Sequence, residues 1–211
     1  MISVWVEQIG SQWFGVAEHE ATLVATVTGE TRDRAIRSLL DCLPTGAPHQ
    51  MTEQGSPYAR STAKMLADIE TGNESGKHYE LSATYVPQTI ARVLRAAAAI
   101  PLGYVSTYGA IAAVAGTNAR VVGRTMATNP LYPIVPCHRV VGADLALVGY
   151  GGRTTPLALD AKLNRLRAEA RGYPRERTIG EAGGLVVVPV ERVIQRAASQ
   201  KEIASQQLTL W

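Results

Sequence analysis

The stretch STYGAIAAVAGTNARVVGRTMATNP, residues 106–130, carries the pattern that decides the fold. Ser106 or Thr107 offers a hydroxyl N-cap, and a short helix follows through Val114. Gly116 ends it. Thr117 or Asn118 then caps a second helix over TNARVVGRTMAT. Two short helices about a glycine-containing turn predict a helix-turn-helix. The same pattern also fits a plain helical hairpin buried in a core, and spacing alone leaves both open. Arg120 at the head of the second helix, with Arg124 one turn on, favours a recognition helix. Such a helix presents its N-terminal residues to nucleic acid.

Immediately downstream lies YPIVPCHRVVGA, residues 132–143. Cys137 and His138 are neighbours, and the chain has only one other cysteine, Cys42. Structural zinc needs four Cys or His ligands in paired spacings, and the two cysteines and four histidines here are scattered singly. No metal and no cofactor is therefore expected. A nucleophilic cysteine needs nearby positive charge or a base, because the thiolate is the reactive form. His138, Arg139 and a helix N-terminus can supply that. Adjacent residues in an extended segment point to opposite sides, so a bridging water is as good a link as direct Cys–His contact. A third group that orients the histidine completes a relay, and Glu169 is the candidate. Bare chemistry still leaves an inert thiol beside a structural histidine open.

Further outward, ISVWVEQI, QWFGVAE and ATLVATVTG read as strands, rich in Val, Trp and Thr. TRDRAIRSLLDCL reads as a helix capped by Thr31, with Ile36, Leu39, Leu40 and Leu43 as its apolar stripe. Cys42 beside that stripe reads as a small core residue. PTGAPHQMTEQGSP is a loop, and YARSTAKMLADIETG a second helix. Residues 1–80 thus form a small α/β N-terminal domain. NESGKHYELSATYVP is a turn, an extended segment and a linker, with 81–86 as the linker proper. QTIARVLRAAAAI is a helix with Ile90, Val93, Leu94 and Ala97 on one face. LVGYGG is glycine-rich but lacks the spacing of a phosphate loop. PLALDAKLNRLRAEARG is a helix with Leu159, Leu163, Leu166 and Ala170 on its stripe and Glu169 beside it, partly buried. A buried carboxylate needs a partner. The tail from Tyr173 has a strand-like GGLVVVPV and a helix-like ERVIQRAASQKEI.

The 211 residues are 46% hydrophobic and 18% charged, the balance of a globular chain rather than a disordered one. The apolar runs are too short or interrupted to span a bilayer, and the N-terminus lacks a basic signal-peptide region. Two distant cysteines predict free thiols in a cytoplasmic protein, or a nuclear one in a eukaryote. Net charge is +3 but uneven. Residues 1–87 hold 6 basic and 11 acidic side chains, whereas 88–171 hold 10 basic and 3 acidic. A basic middle suggests a polyanion partner.

PCHRVV, preceded by NP and the TYGAIAAVAG helix and followed by GYGG and a helix ending AEARG, resembles the O6-alkylguanine-DNA alkyltransferase family. The match runs from about Val86 to about Glu169. It implies an α/β N-terminal domain of ribonuclease-H-like outline. It also implies a mainly helical C-terminal domain, 87–172, with a winged helix-turn-helix-like DNA-binding motif. Residues 173–211 are left as an extension of unknown role. The resemblance implies a DNA repair protein that flips O6-alkylguanine from duplex DNA. The alkyl group passes irreversibly to Cys137, once per molecule, in a monomer acting at the minor groove. His138 acts as base through a water, and Glu169 orients it. Arg120 matches an arginine finger, with Arg124 as second candidate. Tyr108 matches a tyrosine that helps rotate the base, and Asn129 a hinge asparagine. Met126, Val140, Tyr150 and Gly151 match pocket positions, with the Val140 carbonyl accepting from the guanine amino group. Ala112, Ala113, Ala119 and Gly123 permit close approach to DNA or tight helix packing. The chain departs from the pattern in its short GTNAR turn, in the GADLALVGYGG loop, in Gly151 where some members have serine, and in the longer RTTPLALD link before Glu169. A non-catalytic lesion-binding or regulatory helix-turn-helix protein of the same lineage is the alternative, though such relatives replace the acceptor cysteine. An unrelated cysteine hydrolase is the third reading.

Overall fold

A computed structural model describes residues 1–74, 77–180 and 184–208, with side chains through 200. Ser75 and Gly76 of the turn read at 73–87, and Gly183 heading the tail strand, lie outside the described residues. The chain divides into two compact units, 1–94 with 128–135, and 95–127 with 136–211. None of the helices among the described residues is long and apolar enough to cross a membrane.

In the first unit the three expected strands form as β1 (Ile2–Ile9), β2 (Gln12–His19) and β3 (Thr22–Gly29). Helix α1 (Arg32–Asp41) follows, capped by Thr31, whose hydroxyl accepts from the Arg34 N–H. Then come β4 (His49–Met51) and α2 (Pro57–Glu70), the latter with Ser56 as cap and proline in its first turn. The sheet order is β3-β2-β1-β4, with β4 parallel to β1 and the other pairs antiparallel. Ile2, Val4 and Val6 point to one face and pack with Ala35 and Leu39 of α1, and Cys42 lies at the margin of that cluster. Trp5, Phe14 and Val16 alternate to the other face. Full burial stabilises each such aliphatic side chain by about 1.5–3 kcal/mol. The outer edge of β3 is covered by two later segments: Leu23 donates its N–H to the Glu80 carbonyl at 2.6 Å and its carbonyl accepts from the Ser82 N–H at 2.8 Å. Thr26 bridges Leu131, donates its N–H to the Pro130 carbonyl at 2.7 Å and its hydroxyl to the Tyr132 carbonyl at 3.0 Å.

The division between units falls inside α3 (Gln88–Ala98). The second unit continues with β5 (Tyr104–Thr107), α4 (Tyr108–Val114), α5 (Ala119–Ala127), a single 3-10 turn at Cys137–Arg139, and β6 (Val140–Val141). Helix α6 (Pro156–Ala168), β7 (Arg177–Ile179), β8 (Leu185–Pro189) and α7 (Val190–Leu208) complete it. Thr107 caps α4 by accepting from the Ala110 N–H at 3.1 Å. Asn118 caps α5 by accepting from the N–H groups of Arg120 and Val121, each at 3.1 Å.

This unit is less helical than its sequence suggests. A four-stranded sheet, order β6-β5-β8-β7, runs through it. Ser106, a cap candidate, is instead a buried β5 residue whose hydroxyl donates to the Val186 carbonyl at 2.7 Å. The tail is structural: β8 pairs with β5, and Val190 and Val193 of α7 share a core with Val105, Val141 and Leu166.

Candidate functional site

Cys137, His138 and Arg139 occupy one 3-10 turn and are all buried. The strict alternation of an extended segment therefore does not apply to them. Glu169 is not on the face of α6 but at its C-cap, where the helix ends one turn earlier than its apolar stripe suggests. Glu169 Oε1 accepts from His138 Nε2 at 2.7 Å and from an Arg139 terminal nitrogen at 2.9 Å, and Oε2 accepts from Arg139 Nε at 2.8 Å. Arg139 also donates to the Ile100 carbonyl at 2.8 Å, so its guanidinium is used internally. The longer link before α6 has not separated Glu169 from His138.

Electrostatics follow from this geometry. Burial pushes the Glu169 carboxyl up, but hydrogen bonds from His138 and Arg139 and their charges outweigh it and hold it at about 2. Burial pushes His138 below its ordinary value, against the pull of Glu169. The imidazole is then neutral at neutral pH, and its buried Nδ1 has no hydrogen-bond partner among the described residues. With Nε2 held by a carboxylate, Nδ1 is the ring atom left to take a proton.

A cavity of about 420 Å³ opens beside the thiol. Tyr108 of α4, Ala119, Arg120, Gly123 and Met126 of α5, Cys137, Tyr150 and Gly151 line it, together with the neighbouring Val148 and Gly149. Burial raises the Tyr108 hydroxyl, and the Cys137 charge adds to this, so Tyr108 stays a phenol able to donate. Arg120 is exposed at this cavity, whereas Arg124 is exposed elsewhere on α5. A Cβ on Gly123 would meet nothing within 4 Å, so internal packing does not demand glycine there. Ala112, in contrast, is buried. The GYGG loop is a tight turn: Tyr150 and Arg153 exchange backbone hydrogen bonds at 2.9 and 3.0 Å around Gly151 and Gly152, both at positive φ. That is the pattern of a two-residue primed turn, which glycine adopts readily.

Two expected pocket residues stand apart from the lining. Asn129 donates to the Val135 carbonyl at 2.8 Å and accepts from the Leu131 N–H at 3.1 Å, stapling the segment before the cysteine turn. The Val140 carbonyl accepts from Lys162 Nζ at 2.5 Å. Lys162, absent from the sequence reading, is fully buried and also donates to the Gly149 carbonyl at 2.9 Å. Burial lowers its ammonium to about 8, opposed by the charge of Cys137. Its spacing gave a signal, since it lies three residues after Leu159 and four before Leu166, inside the apolar stripe. Among the described residues no three His, Cys, Asp or Glu side chains converge as metal ligands.

Fold and site together define a class: a mixed α/β unit with a short helix pair and a buried cysteine–histidine turn, its histidine bonded to a partly buried glutamate, opening on an apolar cavity. Residues 88–171 match the family model described as 6-O-methylguanine DNA methyltransferase, DNA binding domain. The methylated-DNA–protein-cysteine methyltransferase of Pyrobaculum aerophilum is 58% identical over 53 residues, covering 25% of this chain and 36% of that protein. Its counterpart in Mycolicibacterium paratuberculosis is 43% identical over 90 residues, covering 42% and 52%. The chain spans about half the length, or less, of these curated relatives. Among solved structures, Mycobacterium tuberculosis OGT in complex with DNA is similar, with 26% identity and a TM-score of 0.54 over 80% of this chain and 94% of that one. The R37L variant of the M. tuberculosis O6-methylguanine methyltransferase gives 26% identity and a TM-score of 0.51 over 83% and 96%. The resemblance to the O6-alkylguanine-DNA alkyltransferase family is borne out by all three comparisons.

Proposed function

We propose that this chain is a DNA repair protein that removes alkyl groups from guanine O6 by transferring them to Cys137. The observation that carries the reading is the buried Cys137–Arg139 turn, with Glu169 bonded to His138, at the wall of a cavity bounded by α5. The thiolate attacks the alkyl carbon, an S–C bond forms, and the C–O6 bond breaks. The electron pair returns to guanine, which takes up a proton. His138 receives the thiol proton through a water at Nδ1, and Glu169 orients the ring and balances its charge. The thioether is stable, so each molecule acts once.

A thiol cannot reach O6 inside a stacked duplex, so the nucleotide is flipped into the cavity at a cost of about a few kcal/mol. Arg120 fills the gap it leaves, with Arg124 on the same helix. Tyr108 crowds the backbone and drives the rotation. Ala119 and Gly123 let α5 approach the minor groove, where little sequence information is displayed, as suits a lesion scanner. Met126, Tyr150 and Gly151 contact the base, and Asn129 sets the angle between α5 and the cysteine turn.

In this reading the N-terminal unit has a ribonuclease-H-like outline and the helix pair is a winged helix-turn-helix. The functional division is 1–80, a linker at 81–86, the transfer domain at 87–172 and the 173–211 extension. The protein works as a monomer where the DNA lies, in cytoplasm or nucleus. Incubation with a duplex bearing O6-methylguanine, followed by mass spectrometry, is expected to add one methyl group to the wild type and none to Cys137→Ser. An unmodified wild-type mass after complete exposure would sink the idea.

A further inference from the structure

The loop that carries the far wall of the cavity, 142–154, is held by the tail. Gly142 and Ala146 close a turn by a 2.9 Å backbone hydrogen bond. Within it Leu145 adopts φ 63°, a left-handed conformation that costs a residue with a side chain about 1–3 kcal/mol. Something outside the turn must hold it there. Leu145 and Leu147 pack on the cluster formed with Val190, Val193 and Ile194 of α7. Asp144 accepts from the Ala146 N–H at 3.2 Å with one carboxylate oxygen and from Arg196 of α7 at 2.5 Å with the other. The turn in turn backs the cavity wall, because a Cβ on Gly142 would lie 3.0 Å from Val148, a lining residue. Tail helix, strained turn and cavity wall form one continuous contact chain.

We infer that α7 sets the position of this wall, with Arg196 and Val193 as positioning residues for alkyl transfer to Cys137; the inference rests on the transfer reading above. The tail thereby acts at the site without touching substrate. Full-length Arg196→Glu and Val193→Ala proteins are compared with wild type and Arg196→Lys in single-turnover transfer from an O6-methylguanine duplex. For Arg196→Glu the limiting rate is expected to fall about two- to fivefold, the range a partly exposed ion pair supports. Val193→Ala should fall in the same direction, and Arg196→Lys should behave as wild type. Affinity for undamaged duplex and the rate of Cys137 modification by iodoacetamide should stay within error of wild type. Parallel loss in all three readouts with a lowered melting temperature would mark a merely structural role and overturn the inference. Unchanged transfer rates in both variants would overturn it as well. If wild type itself forms no adduct, the transfer reading fails, and this inference with it.

Discussion

At Glu169 a single carboxylate satisfies donors from two side chains, and it is the residue on which the rest of the cluster depends. Replacing it by glutamine leaves the Arg139 guanidinium, 2% exposed, without its counter-charge. Removing one partner of a buried pair in this way costs about 3 kcal/mol or more. Urea melts at about pH 7 should therefore show Glu169→Gln clearly less stable than wild type. The difference has a pH signature. Because the folded carboxyl sits at about 2, below its ordinary 4.5, its contribution is fully present above 4.5 and is lost as pH falls towards 2. The gap between the two proteins should narrow when the melts are repeated at about pH 3. A gap that does not depend on pH would remove the ion pair from the explanation. The pairing of His138 with Glu169 beside Cys137 was legible because Cys and His stand adjacent and are scarce, while Glu169 falls beside an apolar stripe. Lys162 was not, because lysine is ordinarily counted as solvent-facing even when its spacing places it on the buried side.

Among the elements, α5 links the basic surface to the cavity. Its first turn is set by Asn118, and that turn carries Arg120 to the cavity while Arg124 stands apart from it. Arg120→Ala should slow repair in duplex DNA at least tenfold while changing transfer from a free alkylguanine base by less than about twofold; a group that offsets only lost stacking has nothing to offset with a free base. Equal slowing on both substrates would reassign the role to Arg124 or to folding. The helix pair was readable from caps and a glycine stop, as were β1, β2 and β3 from their β-branched and aromatic content. The strands β4, β5 and β6 were not. They are 3, 4 and 2 residues long, too short to display alternation, and β4 is exposed throughout. Their pairing is decided by distant partners such as β8, which no local pattern reveals.

Across the whole chain, the placement of the tail decides a further property. A chain ending at residue 172 would uncover Val105, Val141 and Leu166, which now pack on Val190 and Val193. It should fail to give a cooperative thermal transition, checked by calorimetry, although the family match ends at residue 171. A sharp transition at the wild-type temperature would show the tail to be dispensable. The sequence revealed the tail's strand and helix but not their integration, because that depends on β5, a strand it concealed. The cover on β3 has a consequence for biosynthesis. Thr26 and its acceptor Tyr132 are separated by 106 residues. At ordinary translation speeds roughly 5–20 s pass between their syntheses. During that interval the part of β3 around Thr26 presents an open hydrogen-bonding edge of the kind that recruits neighbouring strands, although Glu80 and Ser82 close the Leu23 end sooner. The earliest hazard in this molecule's life is thus a matter of timing on the ribosome, set by where in the message the covering segment is encoded.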